Sequence, residues 1–171
     1  MDWEDFRDCY CMFCDKSCHC SNFEDAFESE CGTYLSVKAK EFAKKWLSKK
    51  KYEHSCRVAN YVLELLHNRY QSLSEGKCLM LAFLHDVVED SDCSLSEIEK
   101  EFGFYIMMGV KVLTHNKEEM SYPAYIDKIM DSRYREAVVV KHADMKDHLA
   151  QKETLTPKLK EKYFEVIDRF I

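Results

Sequence analysis

The segment Leu81–Asp90, which reads LAFLHDVVED, places a histidine and three carboxylates within six residues of an otherwise apolar stretch. If the segment is helical, Glu89 lies one turn beyond His85 and Asp90 lies one turn beyond Asp86. The apolar residues of the segment predict that the same turn is buried in a core, where charged side chains need partners. The segment therefore predicts a metal site with acid or base groups beside it, and a helix end that frays into solvent is the alternative.

A histidine and an aspartate on one helix leave a metal ion short of ligands, so further ligands must come from elsewhere in the chain. His54 is followed by valines at four-residue steps, which places it at the start of a buried helix face. Asp144 ends an apolar run. Alone, each has an ordinary alternative, as a hydrogen-bonded core histidine or a helix-capping aspartate. Together with His85 and Asp86 they predict a set of four metal ligands.

These residues resemble the HD-domain superfamily of metal-dependent phosphohydrolases, whose metal ligands follow the same order. His85-Asp-Val-Val-Glu-Asp90 is further similar to the hydrolase motif of RelA/SpoT-type alarmone enzymes and their small single-domain relatives. Two later parts resemble that family as well: Val112-Leu-Thr-His115 with Tyr122-Pro-Ala-Tyr-Ile126, and Val140-Lys-His-Ala-Asp144. The resemblance covers about Tyr52 to Phe170, and HDxxED is its most specific motif.

The resemblance implies an enzyme that hydrolyses a phosphorylated nucleotide with a divalent metal, usually Mn²⁺. For alarmones such as guanosine tetraphosphate (ppGpp), it implies release of pyrophosphate from a ribose 3′ position. Mixed imidazole and carboxylate ligation suits Mn²⁺ or Fe²⁺ and does not exclude Zn²⁺ or Mg²⁺. Glu89 and Asp90 would orient the attacking water or move its proton.

Two departures from the family pattern concern the substrate. Relatives that hydrolyse guanosine tetraphosphate carry an arginine- and lysine-containing stretch ending in TPY..HP, where this chain reads Lys49-Lys-Lys-Tyr-Glu-His54. The family also tends to have an asparagine four residues after the last aspartate, and His148 stands there. Nucleoside monophosphates, cyclic nucleotides and modified RNA ends therefore stay open as substrates.

Five residues are candidate substrate contacts. The tyrosines can stack on a base or ribose, or pack against the core with wet hydroxyls. The lysine in the last motif can reach a phosphate, or form an ordinary ion pair with Asp144. The polar loop His115–Ser121 either forms one wall of the pocket or is a surface connection. The candidates are Lys51, Tyr122, Tyr125, Lys141 and His148.

Seven lysines between residues 38 and 51 are opposed only by Glu41. This run either forms a solvated helix face or attracts a phosphorylated substrate toward the metal. Nucleic-acid binding has only this run in its favour, since no arginine-aromatic interleaving strengthens it, and is therefore not expected.

Only four glycines and two prolines occur in the 171 residues, so turn signals are few and helices are favoured. We predict an all-α fold, and the resemblance implies a single HD-domain helical bundle over residues 36–171. Helices are expected at about 37–48, 54–70, up to His85-Asp86, 95–102 and 104–113 on either side of Gly103, 124–130, 135–149, and from Pro157 through Ile167. The stretch Ser72-Leu-Ser74 and either Ser94 or Ser96 are expected to cap helices.

A cysteine-rich acidic segment over residues 1–35 precedes the predicted domain. Residues 1–31 hold nine acidic residues against two basic ones, and six of the nine cysteines. Cys11-x-x-Cys14 has a zinc-knuckle spacing, so four thiolates of this set could bind a structural Zn²⁺; reduced thiols in a flexible or helical arm are the alternative. The candidate ligands are Cys9, Cys11, Cys14, Cys18, Cys20 and Cys31.

The chain has no apolar run near the roughly 18 residues of a membrane span, and its start lacks the layout of a signal peptide. We therefore expect a cytoplasmic protein that does not enter a membrane. Besides the enzyme, one other class stays open. In it the chain is a regulatory or antitoxin-like protein that holds a protein or RNA partner through its cysteine-rich arm.

Overall fold

The computed structural model describes residues 30–170, with side chains from residue 35 onward. Within this range all regular secondary structure is helical and no strand occurs, which confirms the all-α prediction. The helices are α1 (Glu30–Trp46), α2 (Lys49–Asn68), α3 (Glu75–Leu84), α4 (Val87–Asp90), α5 (Leu95–Leu113), α6 (Tyr122–Met130), α7 (Arg135–Ala150), α8 (Pro157–Phe164) and a closing 3-10 helix (Ile167–Phe170). The predicted cysteine site lies outside the residues whose side chains are described.

Hydroxyl side chains begin most of the longer helices. Ser74 accepts the N–H of Lys77 at the start of α3, as predicted. Ser94, one of the two residues predicted to cap α5, forms a capping box with Glu97. Inside α5, Gly103 has a φ of 78°, and two helical segments meet there at a kink. Since only glycine adopts this backbone conformation readily, the predicted break at Gly103 is confirmed.

Several helix boundaries differ from the expectation. The first two helices begin earlier than expected, at Glu30 instead of about residue 37 and at Lys49 instead of about residue 54. The helix expected to run through His85-Asp86 ends at Leu84, and α4 begins after a two-residue turn. The Asp90 N–H still donates to the Asp86 carbonyl at 2.9 Å, so the spacing of one turn between these two residues survives. The last helix ends at Phe164, because the chain tightens into a 3-10 turn that buries Phe170.

The central helix of the bundle is α3, which packs against α1, α2, α5 and α7. Its residues Cys78, Met80, Leu81, Ala82 and Leu84 are all fully buried. A helix that is apolar on every side is stable only when other helices surround it. Its carboxyl end therefore lies inside the bundle, between α2 and α7, and this position fixes where His85 and Asp86 emerge.

None of the described helices is both long and apolar enough to cross a membrane.

Candidate metal centre

Three buried side chains from different parts of the sequence meet between α2, α7 and the end of α3. His54 belongs to α2, His85 follows α3, and Asp144 belongs to α7. Each is 6% exposed or less. One ligand atom from each lies within 4.8 Å of the others, and such a group could hold a metal ion.

The two imidazoles each leave one ring nitrogen without a partner. Among the described residues, Nε2 of His54 and Nε2 of His85 are buried and make no hydrogen bond. Asp144 Oδ1 lies 3.2 Å from the first and 4.0 Å from the second. A buried nitrogen without a hydrogen bond costs about 1–3 kcal/mol. Two such nitrogens facing one carboxylate are the donor set that a divalent cation would satisfy, so the residues fit a metal.

The other ring nitrogen of each histidine determines this orientation. His85 Nδ1 lies 2.8 Å from the Ala82 carbonyl, and His54 Nδ1 lies 2.7 Å from Asp147 Oδ2. A carbonyl and a carboxylate only accept hydrogen bonds, so Nδ1 carries the proton in both rings. The lone pair of Nε2 then points into the group, as metal ligation requires.

Asp86 lies on the open side of the three buried residues. Its Oδ1 is 3.2 Å from His85 Nε2, and its Oδ2 is 3.8 Å from His54 Nε2. Its side chain is 20% exposed, whereas that of Asp144 is 5% exposed. The structure thus brings all four predicted ligands together, with Asp86 between the buried group and a solvent-filled cleft.

Charged neighbours shift the pKa values of His54 and Asp144 in the direction opposite to the effect of burial. Burial lowers the pKa of His54, but the carboxylates of Asp144, Asp147 and Asp86 outweigh this effect and raise it. Burial raises the pKa of Asp144, but Lys141, His148 and His54 bring it well below its usual value. Asp144 is therefore ionised at neutral pH, as a metal ligand must be.

The predicted acid and base groups lie at the mouth of the site, each beside a basic residue. Asp90 lies 2.7 Å from Lys51 Nζ, which also lies 3.9 Å from Asp86. Glu89 accepts the N–H of His115 at 3.2 Å and lies 3.7 Å from Lys117. Both carboxylates face the same cleft as Asp86.

This cleft has a volume of about 140 Å³ and opens to solvent. Among the described residues, four lysines and four acidic residues line it, so their formal charges cancel. A divalent cation bound at the floor would leave the cleft with an excess of two positive charges. The lining residues are Lys51, Lys117, Lys141, Lys162, Asp86, Glu89, Asp90, Asp144, His115, His148, Tyr122, Tyr125 and Tyr163.

The predicted substrate contacts all line the cleft, and each also contacts other residues of the protein. Lys141 Nζ lies 2.6 Å from Asp144 Oδ2. This ion pair is the alternative that the sequence predicted for Lys141 besides a phosphate contact. Tyr125 is 1% exposed, its ring stacks on His115 at 4.4 Å, and its hydroxyl donates to the Leu113 carbonyl. These contacts hold both residues as part of the wall.

Tyr122 and His148 lie nearer the opening. Lys162 Nζ lies 3.8 Å from the centre of the Tyr122 ring. His148 Nε2 is 3.2 Å from Asp144 Oδ1, and its ring stacks on Tyr163 at 5.6 Å. His148 thus adds a third imidazole beside Asp144, at the position where the family pattern expects asparagine.

Sequence reasoning missed several residues of this site. Lys162 and Tyr163 reach the cleft from α8, and Lys117 reaches it from the predicted wall loop. Burial and the neighbouring charges of Lys141 and Lys117 lower the pKa of Lys162. Nothing in the local pattern of α8 distinguishes Lys162 from an ordinary exposed lysine. Within the described residues, Lys51 is the member of the lysine run that lines the cleft.

A scan of the chain against protein-family models found no match, and a search of curated proteins found none either. The HD-domain resemblance therefore stays a prediction that rests on the motifs.

Proposed function

We propose that this chain is a metal-dependent phosphohydrolase with an HD-type domain, acting on a phosphorylated nucleotide. The observation that carries the proposal is the pair of buried, unpartnered Nε2 atoms of His54 and His85, which face Asp144 at the floor of a lysine-lined cleft. Nothing in the packing of a helical bundle requires two such atoms.

In this proposal His54, His85, Asp86 and Asp144 hold the metal, and the resemblance favours Mn²⁺. A bound divalent ion lowers the pKa of a water molecule and neutralises charge on a phosphate oxygen. The chain's own part is to keep the carboxylates ionised and to hold the Nδ1–H of each imidazole, so that Nε2 faces the metal position. The ion pair between Lys141 and Asp144 serves this role on α7.

Glu89 and Asp90 would orient the attacking water and carry its proton toward the leaving oxygen. Their basic neighbours suit this task because Lys51 and Lys117 hold the carboxylates at the cleft edge. The lysines of the rim, Lys117 and Lys162, would bind phosphate oxygens as point charges.

The size of the cleft indicates which part of the substrate it receives. Its volume of about 140 Å³ is below the roughly 300–1,000 Å³ of pockets that enclose a drug-sized ligand. We therefore propose that a phosphate group enters the cleft and that the nucleoside lies at its mouth. An alarmone of the guanosine tetraphosphate type is the substrate that the resemblance favours.

The test is hydrolysis, with added Mn²⁺, of a panel containing guanosine tetraphosphate, NADPH, nucleoside monophosphates and cyclic nucleotides. Native protein is compared with Asp86→Asn, and with Asp92→Asn as a matched control at an exposed aspartate near the motif. We expect release of pyrophosphate from the tetraphosphate by native protein and by Asp92→Asn, and its loss in Asp86→Asn.

Each other outcome has a defined meaning. Activity on another member of the panel would keep the mechanism and replace the substrate. Native protein that binds Mn²⁺ but hydrolyses no member would favour the regulatory or antitoxin-like class. Native protein that binds no divalent metal would overturn the proposal.

A further inference from the structure

Asp147 lies on α7 three residues after Asp144, and its side chain is completely buried. The two aspartates approach opposite nitrogens of one ring. Asp147 Oδ2 lies 2.7 Å from His54 Nδ1, and Asp144 Oδ1 lies 3.2 Å from His54 Nε2. One turn of α7 thus places a carboxylate beside each ring nitrogen of His54, although only Asp144 belongs to the predicted ligand set.

Arg57 holds the Asp147 carboxylate with two hydrogen bonds. Its Nε donates to Oδ1 at 2.8 Å and its Nη2 donates to Oδ2 at 3.0 Å. Gln151 Nε2 donates to Oδ1 at 3.3 Å. A planar guanidinium binding in this way fixes the plane of the carboxylate as well as its position. Oδ2 is thereby held where it accepts from His54.

His85 shows that this arrangement is not a general need of the fold. Its Nδ1 bonds to the Ala82 carbonyl, an acceptor that α3 supplies without any side chain. Nδ1 of His54 instead donates to the charged carboxylate of Asp147, which is in turn paired with Arg57. An ionised acceptor orients a ligand histidine and increases the electron density that the ring offers to a metal.

We infer that Asp147, held by Arg57, is a positioning residue that fixes the Nδ1–H tautomer of His54 and strengthens its Nε2 as a metal ligand. The inference rests on the proposed metal site, and it adds two residues that act through His54 without touching metal or substrate.

The first test is the affinity of Asp147→Asn for Mn²⁺, measured by titration with detection of free Mn²⁺. Asparagine has one oxygen where aspartate has two, so one of the two positions that accept from His54, Arg57 and Gln151 becomes an N–H donor, and the negative charge that His54 meets is lost. We expect affinity about 10- to 100-fold weaker, the usual effect of losing an outer partner of a ligand histidine. Asp127→Asn is the control, because Asp127 also pairs with an arginine, Arg169 at 2.6 Å, but is exposed and lies on α6.

A second measurement separates positioning from a purely structural role. Nitrogen-15 spectra of the imidazoles in the metal-free protein report which ring nitrogen carries the proton. We expect the His54 signal to change its tautomer in Asp147→Asn and to stay unchanged in Asp127→Asn. Arg57→Lys, which keeps the charge at a partly exposed position but removes the two-pronged contact, should weaken Mn²⁺ binding in the same direction.

Native affinity in both Asp147→Asn and Arg57→Lys would overturn the inference while leaving the metal site intact. An unchanged His54 tautomer in a folded Asp147→Asn would overturn it as well. Native protein without Mn²⁺ binding would instead overturn the proposed function, so the two failures are distinguishable.

Discussion

The floor and the rim of the cleft are built in different ways. The floor is formed by Asp144, with His54 and His85 beside it, and all three are buried between packed helices and oriented by fixed partners. At the rim, the side chains of Lys51 and Lys117 are 45% and 75% exposed and form ion pairs with the carboxylates at the mouth. In the proposed function, the buried floor would bind the metal and the exposed rim would contact the substrate, so substitutions in the two regions should have different effects.

The largest expected effect comes from a substitution in the floor of the cleft. Asp144→Asn removes the carboxylate that both unpartnered imidazoles face. We expect bound Mn²⁺, measured by elemental analysis, to disappear, and hydrolysis to fall by more than about 100-fold, the upper range for outer partners alone. Glu64→Gln, which removes an exposed ion pair with Lys146, is the control and should keep both.

The next effect tests whether the floor depends on tight helix packing. A Cβ at Gly109 would lie 2.7 Å from Leu81 Cδ2, and Leu81 lies one turn before His85 in the central helix. Because Leu81 is fully buried and has no free space to move into, Gly109→Ala should cost about 1–3 kcal/mol through overpacking, which exceeds the gain of up to about 1 kcal/mol from the higher helix propensity of alanine. Thermal unfolding measures this effect. Lys117→Ala at the rim should leave the melting temperature unchanged, and an equal loss in both would contradict the comparison.

A rim substitution should change substrate binding and leave the floor intact. Lys162→Gln removes a cation that lies among Lys117, Lys141 and the Tyr122 ring. Loss of a hydrogen bond to a charged group costs about 1.5–3 kcal/mol, so KM should rise roughly tenfold or more, with Mn²⁺ affinity unchanged. Lys160→Gln, on the exposed face of the same helix, is the control. A fall in kcat without a rise in KM would place Lys162 in the chemistry instead.

The smallest expected effect is a pH dependence that comes from His54. Its pKa in the folded, metal-free protein is raised above the ordinary value of 6.5, so its protonation stabilises this form below that value. This contribution is lost as pH rises through the raised pKa. Mn²⁺ competes with the same proton, so the gain in melting temperature on adding Mn²⁺ should increase over that range. His54→Asn should abolish the increase, whereas His67→Asn, on the same helix, should not.

The parts that could be predicted from sequence are those whose evidence is local. His54 and Asp144 stand at fixed places in apolar helical patterns, and Ser94 and Gly103 carry their own boundary signals. The turn after Leu84 was missed because the apolar pattern continues through it.

The missed residues of the site depend on distant contacts. Asp147 looks like an exposed helical charge until it is placed beside Arg57, which lies 90 residues earlier in the chain. Lys162 and Tyr163 reach the cleft only because α8 packs beside the end of α7, with Tyr163 on His148. No pattern within α8 predicts that contact.

The acceptors behind the two histidines also determine which half of the centre can vary between related chains. The partner of His85 is a main-chain carbonyl, which every amino acid at position 82 would supply. The partner of His54 is the side chain of Asp147, so a single base change in one codon is enough to replace it. If the centre binds a metal as proposed, substitutions at position 147 would change its affinity through His54, while His85 keeps its acceptor whichever residue stands at position 82.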